Sequence, residues 1–383
     1  MRDSWPQEIA DLREVVARLA DQRIRPMVQE IDAAGVFSTE LMGILRDQGL
    51  TALPVPEEFG GCTTDLRSFV TVMEELSRVF PTASTMLTPH WFSTKQIVRW
   101  GHAGWVEPLL REVADGRRVG ALALTEPEAG SDLGGLTTRA TKDGDDWVVD
   151  GGKRFITNAG HCDYYVVLAR TGEKGPRGIS MFYVEADSPG LTVGRYEHKM
   201  GLRASATGEV HLDQVRIPGD HLLGTVGKGF AQMAEGLLEG RAIVAGLAVG
   251  IAQGALDQAV EYAKVRKQFG RPIGSFQGLQ FLLADMAIRT ETARSITYDA
   301  VDALLAGRPD ANRLVSIAKT HATDAAMAVA TDAVQVLGGS GYVTDFPVEM
   351  LMRDAKIQQI YEGTNEIQRV LIARDLLGDV ARG

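Results

Sequence analysis

At 383 residues the chain is long enough for two or three domain-sized units around a large buried core. Apolar residues make up 45% and charged residues 23%, as in an ordinary globular protein. A formal charge of −10 argues against a general nucleic-acid binder but leaves room for a small anion held by a few basic residues.

The N-terminal stretch "MRDSWPQEIADLREVVARLA" is acidic and lacks an apolar signal core, and no apolar run reads as long enough to span a bilayer. Cys62 and Cys162 lie far apart, without a CxxC or a nearby histidine pair, so neither a metal site nor a disulfide framework is expected. The expected setting is the cytoplasm, with neither membrane nor nucleic acid as partner.

Residues 1–118 read as a helical domain. Ser4, Pro6 and Gln7 form a candidate helix start, followed by Leu12, Val15, Val16, Leu19 and Ala20 at helical spacing. In "FSTELMGILRDQGL" Ser38 is a cap candidate and Gly49 a stop. The Pro/Gly loop "LPVPEEFGGC" precedes apolar helices over 66–79 and 83–99.

Residues 119–226 change to strand texture. "DDWVVDGGKRFITNAG" reads as two strands joined by an Asp150-Gly151-Gly152 turn. "DYYVVLAR", "GISMFYVE", "LTVGRY" and "GEVHLDQVRI" follow as short strands, and the spacing predicts a compact antiparallel β-barrel or sandwich. Residues 227–383 are helical again, with a stripe of small residues from Leu314 to Leu337 suited to close packing. The expected class is α+β multidomain: a helical domain, an antiparallel β-barrel, then a four-helix bundle. "VLGGSGYVTD" follows a helix, so its glycines read as a cap, and a dinucleotide-binding Rossmann unit is disfavoured.

Six motifs then stand in order: "TEPEAGSD" from 125, "FITN" from 155, "GLRASAT" from 201, "RKQFG" from 266, "QVLGGSGY" from 335 and "YEGTNEIQR" from 361. Their order and spacing resemble the acyl-CoA dehydrogenase family, flavoproteins that oxidise an acyl-CoA to its 2,3-enoyl-CoA, over about residues 5–380. The helical, β, helical plan agrees with that family's fold.

The α C–H of a thioester is a weak acid, so its removal needs a fixed base and a stabilised carbonyl oxygen. The resemblance makes Glu362 the base, with burial raising its pKa and backbone N–H groups nearby binding the thioester oxygen. By itself Glu362 reads rather as a carboxylate favoured by the dipole at a helix N-terminus, and the full motif set is what favours catalysis. The resemblance further implies FAD as cofactor, with hydride passing from the substrate β carbon to flavin N5. Leu122, Leu124, Thr125, Gly130 and Ser131 would line the flavin, Thr157 would lie near N5, and Phe155 would stack where many members carry tryptophan. Thr364 and Glu366 would open the last helix beside the ring. Arg266, Gln268, Phe269, Gln277, Gln335, Gly338 and Gly339 would meet the diphosphate and adenine across a subunit interface, in a homotetramer.

Ser131, Arg241, Tyr361, Gly363 and Arg374 would contact the acyl-CoA, and electron-transferring flavoprotein would accept the electrons. Some branches carry the base just before the position of Arg241, which is Gly240 here, and Glu239 is expected to face elsewhere. Bulky His90, Trp91 and Phe92 predict a shallow pocket for short or branched acyl groups. An oxidase of the same fold, a carrier-bound acyl substrate and a non-catalytic subunit of a hetero-oligomer are the competing readings.

Overall fold

The structure, a computed structural model, describes residues 5–62, 64–378 and 380. Ser4, the predicted first cap, lies outside them. Six helices come first: α1 (Gln7–Leu19), α2 (Val28–Ala34), α3 (Thr39–Asp47), α4 (Leu66–Ser77), α5 (Pro81–Trp100) and α6 (Val106–Ala114). Ser38 caps α3 by accepting from the Leu41 amide, and Asp65 caps α4 by accepting from the Arg67 amide.

The strands are β1 (Gly120–Ala123), β2 (Arg139–Asp143), β3 (Asp146–Thr157), β4 (Tyr164–Arg170), β5 (Ile179–Glu185), β6 (Leu191–Tyr196), β7 (Thr207–Ile217) and β8 (Leu222–Leu223). Every residue of β4 is buried. Tyr164, Val166 and Leu168 pack with α5 and α6 on one face of the sheet, and Tyr165, Val167 and Ala169 join a second core on the other.

Three expectations for this region change. The sheet runs β6-β7-β3-β2-β4-β5-β8, and among the described residues its end strands do not pair, so the barrel is not closed. Nor is it wholly antiparallel: β1 and β2 both pair with β4 in parallel. Parallel pairing needs a crossover, here the β2–β3 hairpin, and strand periodicity carries no information about direction. The predicted Asp150-Gly151-Gly152 turn is instead a bulge inside one continuous strand, β3. Gly151 has φ +151°, and a Cβ there would lie 2.7 Å from the Thr138 Cα, so the glycines serve a kink and not a reversal.

The chain returns to helix with α7 (Gly229–Val265), then a two-stranded hairpin of β9 (Lys267–Gln268) and β10 (Arg271–Pro272). It continues through α8 (Gln277–Leu305), α9 (Ala311–Leu337), α10 (Val348–Gln358) and α11 (Asn365–Leu377). Helices α7, α8 and α9 pack side by side, α10 lies on α7 and α9, and α11 lies on α9. Against expectation, α7 is long and apolar enough by length and composition to cross a membrane. It is mostly buried and forms the centre of the helical core against α4, α8 and α9. Gly246 lets α4 approach closely: a Cβ there would lie 2.8 Å from Val70 Cγ1. Gly338 ends α9 at φ +60°, the capping role expected of the glycine run.

Candidate active site

A cavity of about 450 Å3 opens where α5, the sheet and the α10–α11 turn meet. From α5 come Thr85, Thr88, Pro89 and Phe92, whose spacing places them on one helical face. The sheet side contributes Leu122 from β1 with Leu124, Thr125, Gly130 and Ser131 from the loop that follows. The helix side contributes Ile357, Ile360, Tyr361, Glu362, Gly363 and Thr364. A second cavity of about 360 Å3 shares Thr85, Phe155, Thr157, Ile357, Ile360 and Tyr361 with the first and extends past Lys199, Ser205 and Thr207.

The end of β3 is bulged where its register with β7 shifts between Lys153 and Ile156. Phe155 sits in that bulge at φ +58°, a left-handed conformation costly for a bulky side chain. The bulge turns an aromatic ring, 53% exposed, to the boundary of both cavities, with the Arg154 guanidinium 4.6 Å above it. Behind the lining, fully buried Lys153 donates to the Glu126 carboxylate at 2.8 Å and to the Leu124 carbonyl at 3.1 Å. Glu126 also accepts from the amides of Thr137 and Thr138 and from the Thr137 hydroxyl. Burial pushes the Glu126 pKa up, but Lys153 and these donors overcome it and hold the group at about 2.

Glu362 lies in the turn after α10, at φ +54°, and Thr364 then caps α11 through its hydroxyl and the Ile367 amide. Its Oε2 is buried and has no hydrogen-bond partner among the described residues. Burial pushes its pKa up to about 7, against the opposing charges of Arg241 and Lys319. On α7, a Cβ added at Gly240 would lie 3.5 Å from Glu362 Oε2, so that position faces the same carboxylate. Neighbouring Glu239 points away to Lys95 and Arg99 on α5. Arg241 lies near enough that Glu362 opposes the lowering of its pKa by burial, and its Nε has no partner among the described residues.

The predicted site residues therefore separate into two groups. Leu122, Leu124, Thr125, Gly130, Ser131, Phe155, Thr157, Tyr361, Glu362, Gly363 and Thr364 converge on one cavity, with Arg241 behind it. Arg266, Gln268, Phe269, Gln277, Gln335, Gly338 and Gly339 are exposed and do not line it. They lie on β9, around the ends of α7 and α9 and at the start of α8, a region tied together by the Tyr262 hydroxyl and Ser340 Oγ at 3.1 Å. Glu366, in the first turn of α11, and Arg374, near its end, are also exposed.

The bulky trio on α5 divides as well. His90 bonds the Thr51 carbonyl and accepts from the Gly120 amide, while Trp91 donates to the Leu50 carbonyl. Both are structural, and Phe92 alone of the three faces the cavity. Sequence reasoning passed over Lys153, Glu126 and Lys319. The available signal was a charged residue inside a stripe of buried apolar positions, clearest for Lys319 between Ala318 and Ala322.

The sequence matches the acyl-CoA dehydrogenase N-terminal domain over residues 6–117, the middle domain over 121–215 and the C-terminal domain over 227–377. It is 44% identical to the probable acyl-CoA dehydrogenase fadE25 of Mycobacterium leprae, covering 97% of this chain and 96% of that protein. Among solved structures, butyryl-CoA dehydrogenase from Megasphaera elsdenii superposes with a TM-score of 0.94 at 39% identity, over 98% of this chain and 99% of that one. A chain solved in work on the electron transferring flavoprotein of Acidaminococcus fermentans and flavin-based electron bifurcation gives a TM-score of 0.95 at 40% identity, over 98% and 99%. A carboxyl group buried without a partner beside an apolar cavity, in a chain alike these proteins along almost its whole length, has one consistent reading: the chain belongs to the acyl-CoA dehydrogenase family, oxidoreductases acting on CH–CH bonds.

Proposed function

We propose that the protein dehydrogenates short-chain acyl-CoA thioesters to trans-2-enoyl-CoA, with Glu362 as the base and FAD as the cofactor. The observation that carries this reading is the buried, unpartnered Glu362 Oε2 at the wall of the cavity. A pKa near 7 makes the carboxylate a far stronger base than an exposed glutamate while leaving a substantial fraction ionised at neutral pH.

The residues suit a flat heteroaromatic ring with a polar edge. Phe155 offers an aromatic face at the junction of the two cavities, and Thr157 offers a hydroxyl beside it. A Cβ at Gly130 would meet nothing within 4 Å, and Ser205 Oγ is buried next to the second cavity without a partner among the described residues. Bound FAD supplies the acceptor for the β-carbon hydride. The protein's own part is to hold the thioester between α5 and the sheet, exclude water and receive the α proton on Glu362.

Short chains are favoured by the way the α5–α7 seam closes. A Cβ at Gly240 would lie only 2.9 Å from Phe92 Cζ, so the ring already fills the gap beside Glu362. One turn further along each helix Gln96 packs onto Gly236, and Glu239 pairs with Lys95 and Arg99. A long aliphatic tail would meet polar groups there instead of apolar walls. The likeness to butyryl-CoA dehydrogenase supports the same length class.

The exposed group around the ends of α7 and α9 is assigned to the FAD diphosphate and adenine at a contact between copies, in a homotetramer. Electron-transferring flavoprotein is the proposed electron acceptor. Anaerobic titration of the flavin-loaded protein with acyl-CoAs of increasing length tests the reading. Butyryl-CoA is expected to bleach the flavin, and a flavin left oxidised by every acyl-CoA would overturn the proposal.

A further inference from the structure

Lys319 is fully buried in α9, in line with the small residues that pack against its neighbours. Its ammonium donates to the Gly363 carbonyl at 2.9 Å and to Asn365 Oδ1 at 2.9 Å. Both acceptors follow Glu362, one in the turn that carries it and one at the first residue of α11. Thr323, one turn along α9, exchanges hydrogen bonds with Asn365, and Asp324 accepts from Gln359, Asn365 and Arg369. Three positions on one α9 face thus hold the segment from 359 to 369 at both ends, while Glu362 Oε2 has no hydrogen-bond partner among the described residues.

We propose that Lys319 is a positioning residue for the base: it anchors the turn through its carbonyl and side-chain amide oxygens, and supplies a buried positive charge that keeps Glu362 ionisable at neutral pH. Resting on Glu362 as the base, the proposal deepens that reading. A direct lysine–glutamate contact would have locked the carboxylate, as Lys153 does to Glu126. By bonding backbone and amide oxygens instead, Lys319 contributes field without occupying the carboxylate's lone pairs.

The charged groups facing Glu362 are Arg241 from α7 and Lys319 from α9. Those facing Lys319 are Glu362, Asp324, Arg241 and Glu366. Burial lowers the Lys319 pKa to about 8, with the acidic groups opposing, so the ammonium persists at neutral pH.

The test is the pH profile of anaerobic flavin reduction by butyryl-CoA. Lys319→Met should move the midpoint of the acid limb upward by about one pH unit. Near pH 7 the rate should fall about fivefold from the lost ionised fraction alone. Lys319→Arg keeps the charge and should retain the wild-type midpoint even if its maximum rate falls, and Thr323→Val, which loosens the turn without changing charge, should do the same. A Lys319→Met midpoint equal to wild type, or a Lys319→Arg midpoint moved as far as that of Lys319→Met, overturns the proposal. Should Lys319→Met fail to accumulate as folded protein, Lys319→Gln gives the same midpoint while keeping a donor for the Gly363 carbonyl.

A readout without substrate separates this from failure of the enzymatic reading. Between about pH 8 and the unfolded lysine pKa of 10.5, the unfolded chain keeps a proton that buried Lys319 gives up. Wild-type stability therefore gains with rising pH relative to Lys319→Met across that window, and parallel curves for the two proteins would also overturn the proposal.

Discussion

Two buried lysines stand on opposite sides of the same cavity, and their carboxylate neighbours differ completely. On the sheet side Lys153 bonds Glu126 directly, backbone amides complete the shell, and the carboxylate is held near a pKa of 2. On the helix side Lys319 bonds a carbonyl and an amide oxygen, Glu362 keeps a bare Oε2, and its pKa rises to about 7. The difference teaches that burial alone does not decide what a carboxylate becomes. What decides it is whether the nearest cation is bonded to it or to the backbone that carries it.

The largest expected effect comes from removing the reactive carboxylate. Glu362→Gln should keep its flavin and bind butyryl-CoA but reduce the flavin roughly 10²–10⁴-fold more slowly, read in a stopped-flow anaerobic experiment. Lost flavin binding would instead make Glu362 structural, like Glu126.

Breaking the structural pair should show the opposite signature. Lys153→Met leaves Glu126 buried without its cation and should cost about 3–5 kcal/mol in denaturant unfolding, together with flavin content. Adding Glu126→Gln should recover part of that loss. A Lys153→Met protein as stable as wild type would erase the contrast between the two sides.

The comparison sharpens in the pH dependence of stability. Glu362 binds its proton more tightly folded, near pKa 7, than in the unfolded chain, near 4.5, so its contribution falls as pH rises through that interval. The Glu362→Gln protein should therefore overtake wild type by about 3 kcal/mol above pH 7, with little difference below pH 4.5. Equal stability across the range would mean that the carboxyl is well solvated after all.

A smaller change is expected at the seam beside Glu362. Phe92→Ala should raise kcat/KM for octanoyl-CoA relative to butyryl-CoA by about tenfold. An unaltered ratio would place the acyl chain along another path.

Much of the candidate site was legible because its residues lie in contiguous motifs. Ser131 follows β1 within one loop, Thr157 closes β3, and Glu362 stands between two helices whose ends Gln358 and Thr364 mark. The helices over 66–77 and 81–100 were legible to within two residues, as 66–79 and 83–99, from apolar spacing, and Ser38 as a cap from its side chain. The β2–β3 connection was misread because Asp-Gly-Gly is the composition of both a tight turn and a bulge. His90 and Trp91 were misread because size on a helix does not say which way a ring points, and their N–H groups found carbonyls near Thr51 and Leu50 instead of the cavity.

From local order alone, then, the chain determined its three-part layout and the contiguous motifs whose residues line the cavity. These depend on side chains near one another along the chain. The tertiary structure decided what depends on distant segments meeting: Gly240 facing Glu362, Phe92 closing the α5–α7 seam, and Lys319 bonding the turn 44 residues further on. A pKa is set by the whole shell of charges and the water excluded around a group, and only packing brings that shell together.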